Sequence, residues 1–253
     1  MSASSGLLLL QRQNGVNIAY QALDGAKPGI VFLGGFMSDM TGTKATALQT
    51  YCQNYNRAFV KFDYRGHGAS SGRFRDGTIG LWLEDALAVI DEVAKGPVIL
   101  VGSSMGGWIA LLAALARPER VKGIIGLAAA PDFTADIWSE LSEAQKREMR
   151  ERGHIEQPTD YGDEPYVITR ALIEDGARHC LLDAPIPIRC PVRLIQGMED
   201  TDVPWTKALK IVERLESADV TLTLVKQGDH RLSEPEDLKR MTETITALCE
   251  REG

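Results

Sequence analysis

Ile99-Leu100-Val101-Gly102-Ser103-Ser104-Met105-Gly106-Gly107-Trp108 runs an apolar, β-rich stretch directly into a G-x-S-x-G pentapeptide and then into a helical pattern. A strand-to-helix turn tight enough to push a serine Oγ clear of the backbone needs residues with almost no side chain two before and two after it, here Gly102 and Gly106. Ser104 is therefore the candidate nucleophile. It would sit at a helix N-terminus, where the free N–H of Met105 and the positive end of the helix dipole can meet a developing oxyanion. Ile109, Leu112, Ala113 and Ala116 supply that helix with an apolar face.

A serine hydroxyl needs a base to take its proton and an acid to orient the base. Val192-Arg193-Leu194-Ile195-Gln196-Gly197 reads as a strand, and the loop after it holds Glu199, Asp200 and Asp202, three carboxylates any one of which suits the acid. Further on, Leu224-Val225-Lys226-Gln227-Gly228-Asp229-His230-Arg231 carries a histidine just past the last strand. Of the four histidines, His230 alone follows a late strand and precedes a terminal helix. His67 sits in the glycine-flanked turn Asp63-Tyr64-Arg65-Gly66-His67-Gly68, where a part in loop architecture is expected; His154 and His179 fall in the segment read below as a lid, where either could contact substrate and surface placement is expected.

Apolar β-rich runs alternate with amphipathic ones, the pattern of a mostly parallel sheet covered by helices. Strands are expected over Leu7–Gln11, Asn17–Ala22, Ile30–Leu33, Ala58–Phe62, Val98–Val101, Gly123–Leu127, Val192–Gln196 and Thr221–Val225. Helical spacing of Ile79, Leu83, Ala86, Leu87, Ile90 and Val93 marks one helix, a second follows the elbow, and two more are expected over Thr206–Leu215 and Pro235–Cys249. Ser233 and Glu236 have capping-box spacing ahead of the last.

From about Asp132 to Arg189 the strand rhythm stops. This segment reads as helical, then polar with proline and glycine from Gln157 to Pro165, then helical again, and it is too long for a plain loop. We read it as a lid, with Ser142 and Gln145 capping one of its helices. Trp138, Leu141, Met149, Leu172, Ile173, Leu181 and Leu182 are candidates either to face an acyl-sized pocket or to pack the lid onto the body. Met37 and Trp205 join the candidate pocket residues.

The 253 residues suffice for a single domain, 1–253, with that insertion. A formal net charge of −7, with its densest basic group (Lys146, Arg147, Arg150, Arg152) interleaved with Glu143, Glu148 and Glu151, argues against nucleic acid or an anionic membrane as main partner. Cys52, Cys180, Cys190 and Cys249 form no C-x-x-C pair, so neither a zinc site nor a redox motif is expected, and reduced thiols in a cytoplasmic setting fit. The apolar run Leu7–Leu10 lacks a preceding basic residue and a cleavage site and reads as a strand. No segment approaches the roughly 20 apolar residues of a membrane span.

With chain order serine, acid, histidine, the sequence resembles the α/β-hydrolase family over nearly its whole length outside the lid. That resemblance implies an eight-stranded, mostly parallel sheet. Gly197, Asp200, Val203 and Pro204 match the family's G-x-x-D-x-x-V-P loop, which points to Asp200 as the acid. Asp63, Arg65, Gly66, Gly68 and Ser70 match its structural D-x-R-G-x-G-x-S turn. The loop after the third strand, Leu33-Gly34-Gly35-Phe36-Met37, has glycine where the family often has histidine, and it implies Phe36 as the second backbone donor beside Met105. Gly42-Thr43-Lys44-Ala45, His179-Cys180-Leu181-Leu182, Pro185-Ile186-Pro187 and Val203-Pro204-Trp205 are similar to the palmitoyl-protein thioesterase and acyl-glucuronide esterase subgroup and its bacterial relatives, and this likeness extends into the lid.

The expected function is hydrolysis of carboxylic esters or thioesters through an acyl-Ser104 intermediate, with a small-molecule substrate or an acylated protein as partner and with no metal or organic cofactor. Carbon-carbon bond hydrolases and perhydrolases use the same triad, and a non-catalytic ligand-binding protein would keep the pocket alone.

Overall fold

The computed structural model describes residues 6–13, 15–157 and 165–251. An antiparallel pair opens the chain, β1 (Leu8–Gln11) against β2 (Asn17–Leu23), with Leu8 opposite Tyr20 and Gln11 opposite Asn17. Next come β3 (Ala26–Leu33), α1 (Thr43–Asn54), β4 (Arg57–Phe62) and α2 (Ile79–Ala88), which continues as a π-helical turn over Val89–Val93. The centre of the sheet is β5 (Val98–Ser103), followed by α3 (Met105–Ala116) and β6 (Val121–Leu127). The long connection that follows contains α4 (Phe133–Glu140), α5 (Glu143–Arg152), β7 (His154–Gln157), β8 (Tyr166–Thr169) and α6 (Arg170–Gly176). The chain then returns with β9 (Val192–Gly197), α7 (Thr206–Arg214), β10 (Val220–Val225) and α8 (Pro235–Arg251).

The eight-stranded sheet has the order β1-β2-β4-β3-β5-β6-β9-β10, with β2 antiparallel to both neighbours and every pair from β4 onward parallel. A parallel strand covered on both faces must be apolar on both, and β5 is buried along its whole length. Period-two alternation divides its side chains between two cores. Val98 and Leu100 join Trp82 of α2, Trp108 of α3 and Ile211 of α7. Ile99 and Val101 join Leu48 of α1 and Ile245 of α8 on the other face.

The helix after the elbow is apolar all round, not on one face. Every residue from Met105 to Ala114 is buried, because α2 covers the side of α3 that the sheet does not. The α1 helix was not among the expected elements. Its signal is the spacing of Ala45, Leu48, Tyr51 and Cys52, diluted by the threonines and glutamines between them. The capping box at Ser142 and Gln145 forms. At Ser233 the hydroxyl donates instead to the Arg231 carbonyl, at 3.0 Å.

The connection from β6 to β9 corrects the helix-only reading of that segment, because β7 and β8 pair antiparallel with Ile155 opposite Ile168. Four-residue strands with one buried isoleucine each are too short to show a period of two. Most of the polar stretch expected from Gln157 to Pro165 lies outside the described residues. The segment has its own small core of Leu141, Met149, Ile155, Ile168 and Ile173.

Two carboxylates brace this segment, one within it and one to the body. Asp132 accepts the N–H groups of Leu181 and Leu182, each at 2.8 Å, which joins the start of the segment to its end. Asp175 in α6 accepts the Gly80 N–H at 2.7 Å, at the positive end of α2. Burial alone would raise the Asp175 carboxyl, but the Gly80 N–H, the Thr78 hydroxyl, Arg178 and His179 outweigh it and hold it below the usual carboxylate range.

Candidate active site

Ser104 caps α3 directly after β5, with φ 54° and ψ −120°, a strained left-handed conformation for a residue with a Cβ. Its backbone is held on both sides. The Ser104 N–H donates to Leu127 O at 2.9 Å, and its carbonyl accepts from Gly107 (2.8 Å) and Ala130 (3.1 Å). The pentapeptide glycines are dictated by space, since a Cβ on Gly102 would lie 2.2 Å from the Gly106 carbonyl oxygen and one on Gly106 would lie 2.1 Å from that of Leu33. The strand, the helix and the loop after β3 meet there backbone to backbone.

His230 lies in the loop between β10 and α8, with Nε2 3.1 Å from Ser104 Oγ and Nδ1 2.9 Å from Asp200 Oδ2. That geometry needs the Nδ1–H tautomer, with the bare Nε2 facing the hydroxyl. The Asp200 side chain is fully buried just past β9. Its Oδ1 accepts the N–H groups of Asp202 (2.9 Å) and Val203 (2.8 Å), and its Oδ2 also accepts Gln196 Nε2 at 2.8 Å. Of the three loop carboxylates, Asp200 accepts the imidazole Nδ1–H at 2.9 Å. Among the described residues, Asp200, Asp202 and His230 form the one trio with metal-ligating atoms within 4.8 Å of one another, and the bonds above already engage both oxygens of Asp200 and both nitrogens of His230.

The loop after β3 lies against the elbow, so that a Cβ on Gly35 would stand 3.5 Å from the Ser104 Cβ. Neither the Phe36 N–H nor the Met105 N–H donates to a backbone acceptor among the described residues, and Met105 is the first residue of α3. The Phe36 ring meets Phe74, Trp82, Phe133 and Tyr166 edge to face, with centroids 4.8 to 5.9 Å apart. This one side chain thus joins the body of the protein to β8.

Ser104 and His230 open on a cavity of about 980 Å³ between the carboxyl ends of the strands and the β6–β9 segment. Phe36, Met37, Ile137, Tyr166, Ile168 and Leu182 give it apolar walls, and Lys44, Asp136, Lys207 and Arg231 are among its charged ones. Of the expected pocket residues, Met37 and Leu182 line it. Leu141, Met149 and Ile173 instead form the core of the β6–β9 segment, and Leu172 is buried in the main core with Leu181 packed against it. Trp138 packs on the segment's core with Lys146 over its ring, and Trp205 lies half-buried at the start of α7, off the cavity wall. An apolar side chain in a helical pattern does not reveal which of two cores it joins. Gln196 was missed, because a lone glutamine in an apolar strand carries no motif.

Burial pushes the Lys44 ammonium down to about 8, against the pull of Asp229, and its Nζ donates to the Arg231 carbonyl. The Asp63 turn is structural: its carboxylate accepts the N–H groups of Met40 (2.7 Å) and Ala69 (2.8 Å), and Arg65 pairs with the buried Asp85 at 2.7 Å. His67 is buried within this turn against Tyr64, Phe74 and Trp82.

A mostly parallel sheet with a serine on a strained strand-to-helix elbow, hydrogen-bonded in series to a histidine and an aspartate from later loops, defines a class of α/β proteins. The alpha/beta hydrolase family matches residues 30–240, and the chain belongs to it. It is 42% identical to a mouse protein named palmitoyl-protein thioesterase ABHD10, mitochondrial, over 98% of this chain and 84% of that one. The human protein of that name is 41% identical over 98% of this chain and 81% of its own. The solved structure of mouse alpha/beta hydrolase domain-containing protein 10 superposes with a TM-score of 0.93 at 42% identity, covering 98% of this chain and all of that one.

Proposed function

We propose that this protein hydrolyses carboxylic esters and thioesters through an acyl-Ser104 intermediate. The observation that carries the reading is the unbroken series Ser104 Oγ, His230, Asp200, at 3.1 and 2.9 Å, opening on a cavity of about 980 Å³ with an apolar wall. His230 Nε2 takes the Ser104 proton as Oγ attacks the acyl carbonyl, and Asp200 holds the tautomer and balances the imidazolium charge. The Phe36 and Met105 N–H groups receive the oxyanion, each worth on the order of 10²-fold in rate. The imidazolium then protonates the departing thiolate or alkoxide. A water molecule deprotonated by His230 attacks the acyl carbon, releasing the acid and restoring the serine.

Acyl thioesters of proteins are the first substrates to examine, given the name of the mammalian relatives. Small acyl esters come next. The segment between β6 and β9 works as a lid on a single domain, which is supported by its own core and its two carboxylate ties. No helix of the described residues is long and apolar enough to cross a membrane. Cys52, Cys180, Cys190 and Cys249, all present as thiols, favour a reducing compartment such as the cytoplasm for this chain.

The test is intact mass after exposure to a fluorophosphonate, alongside turnover of an acyl thioester, for the parent and Ser104→Ala. One adduct and measurable turnover, both lost in the variant, are expected. Turnover that survives the substitution would remove Ser104 as the nucleophile.

A further inference from the structure

Gln196 is the penultimate residue of β9, 1% exposed, beside buried Leu194 and Ile195. Its Nε2 donates to Asp200 Oδ2 at 2.8 Å and to the Val203 carbonyl at 3.1 Å. Facing these two oxygens and the Gly197 carbonyl at 3.4 Å, the carboxamide has only one orientation that avoids oxygen against oxygen. Its Oε1 is thereby buried with no hydrogen-bond partner among the described residues. Methionine or leucine would fill this volume without burying an unpaired Oε1, but would leave the Val203 carbonyl and Asp200 Oδ2 without this donor, so the amide is accounted for by the acceptors it meets and not by packing. What the amide adds is a donor on Oδ2, the oxygen that also receives the His230 Nδ1–H at 2.9 Å.

We propose that Gln196 is a positioning residue, which holds the Asp200 carboxylate in the rotamer that faces His230 and spreads its charge. The proposal rests on the triad reading above. Oδ1 is held by two backbone N–H groups, and Oδ2 is shared between Gln196 and His230. Without the amide donor, more negative charge remains on Oδ2 against the imidazole, so the ring keeps its proton to higher pH. The carboxyl plane also loses one of its four donors. The other charged groups around the ring stay as they are: Asp202 lies within 4.8 Å, and Lys44, Lys207 and Arg231 share the cavity wall. A difference between parent and variant therefore reads the amide.

The experiment compares the full chain with Gln196→Met and Gln196→Leu for kcat and KM on a p-nitrophenyl ester from about pH 5 to 9. Fluorophosphonate labelling and the melting midpoint are recorded for each. Gln196→Met is expected to lower kcat about tenfold at neutral pH with KM unchanged, and to move the acid limb of kcat/KM to higher pH. Gln196→Leu removes the same donor with a differently shaped apolar side chain and moves the limb the same way. It carries the test alone if the methionine variant does not fold. A folded variant with the parent's acid limb overturns the proposal, even if its rate falls, because a merely structural role would leave the limb in place; the labelled parent would still support the triad. A parent that takes no label, or turnover that survives Ser104→Ala, overturns the triad reading and this one with it.

Discussion

Ser104 is reachable because Gly102 and Gly106 let three pieces of backbone approach within distances no side chain tolerates. The neighbouring turn uses a buried residue differently. Burial pushes the His67 imidazole down to about 4, against the weaker pull of a hydrogen bond to the Arg65 carbonyl. The unfolded chain takes up this proton as pH falls below about 6.5 whereas the folded chain resists it, so the contribution is full above about 6.5 and is lost towards the folded value. Urea unfolding of the parent and His67→Phe should show the parent losing up to about 3 kcal/mol relative to the variant as pH drops from neutrality to about 4. Parallel pH profiles would place a charged imidazole in the native state.

At the scale of elements, the decisive contacts close the β6–β9 segment on itself and hold it to α2. Asp132, at the left-handed start of α4, is pushed up by burial and pulled back by the N–H groups of Leu182 and Leu181. Asp132→Ala would strand both donors, at about 1–3 kcal/mol each if they stay dry. The expected outcome is faster proteolysis between α4 and β9, a lower melting midpoint and a raised KM ahead of any fall in kcat. Unchanged proteolysis would mean that the small core of Leu141, Met149 and Ile168 holds the segment unaided. Long periodicity and the cap at Ser142 and Gln145 were legible in the sequence, whereas the equal spacing of Ser233 and Glu236 formed no capping box. It missed β7, β8 and α1 because four residues, or twelve with few large apolar ones, carry too weak a pattern.

Across the whole molecule, the cavity is a product of two cores that meet at Phe36, one under α2 and α3 and the other inside the β6–β9 segment. A substrate chain lying on Ile137, Tyr166, Ile168 and Leu182 would gain about 0.8 kcal/mol per buried methylene, about fourfold in kcat/KM. A homologous series of straight-chain p-nitrophenyl esters should therefore climb by up to that factor per carbon and then level off. A series flat from the shortest member would mean that acyl chains do not use this wall.

The order strand, elbow, helix, and the order serine, acid, histidine, were legible in the chain because each rests on local chemistry: glycines that a tight turn demands, apolar runs of a set period, polar residues in loops after strands. Asp200 could be singled out from Glu199 and Asp202 only by likeness to a family. Which leucines and tryptophans face the cavity, that Phe36 bridges two cores, and that a buried glutamine meets the acid were decided by the tertiary structure. Those facts depend on contacts between residues far apart in sequence, such as Phe36 with Tyr166 and Ser104 with His230, and a period read along one segment contains no record of what packs against it.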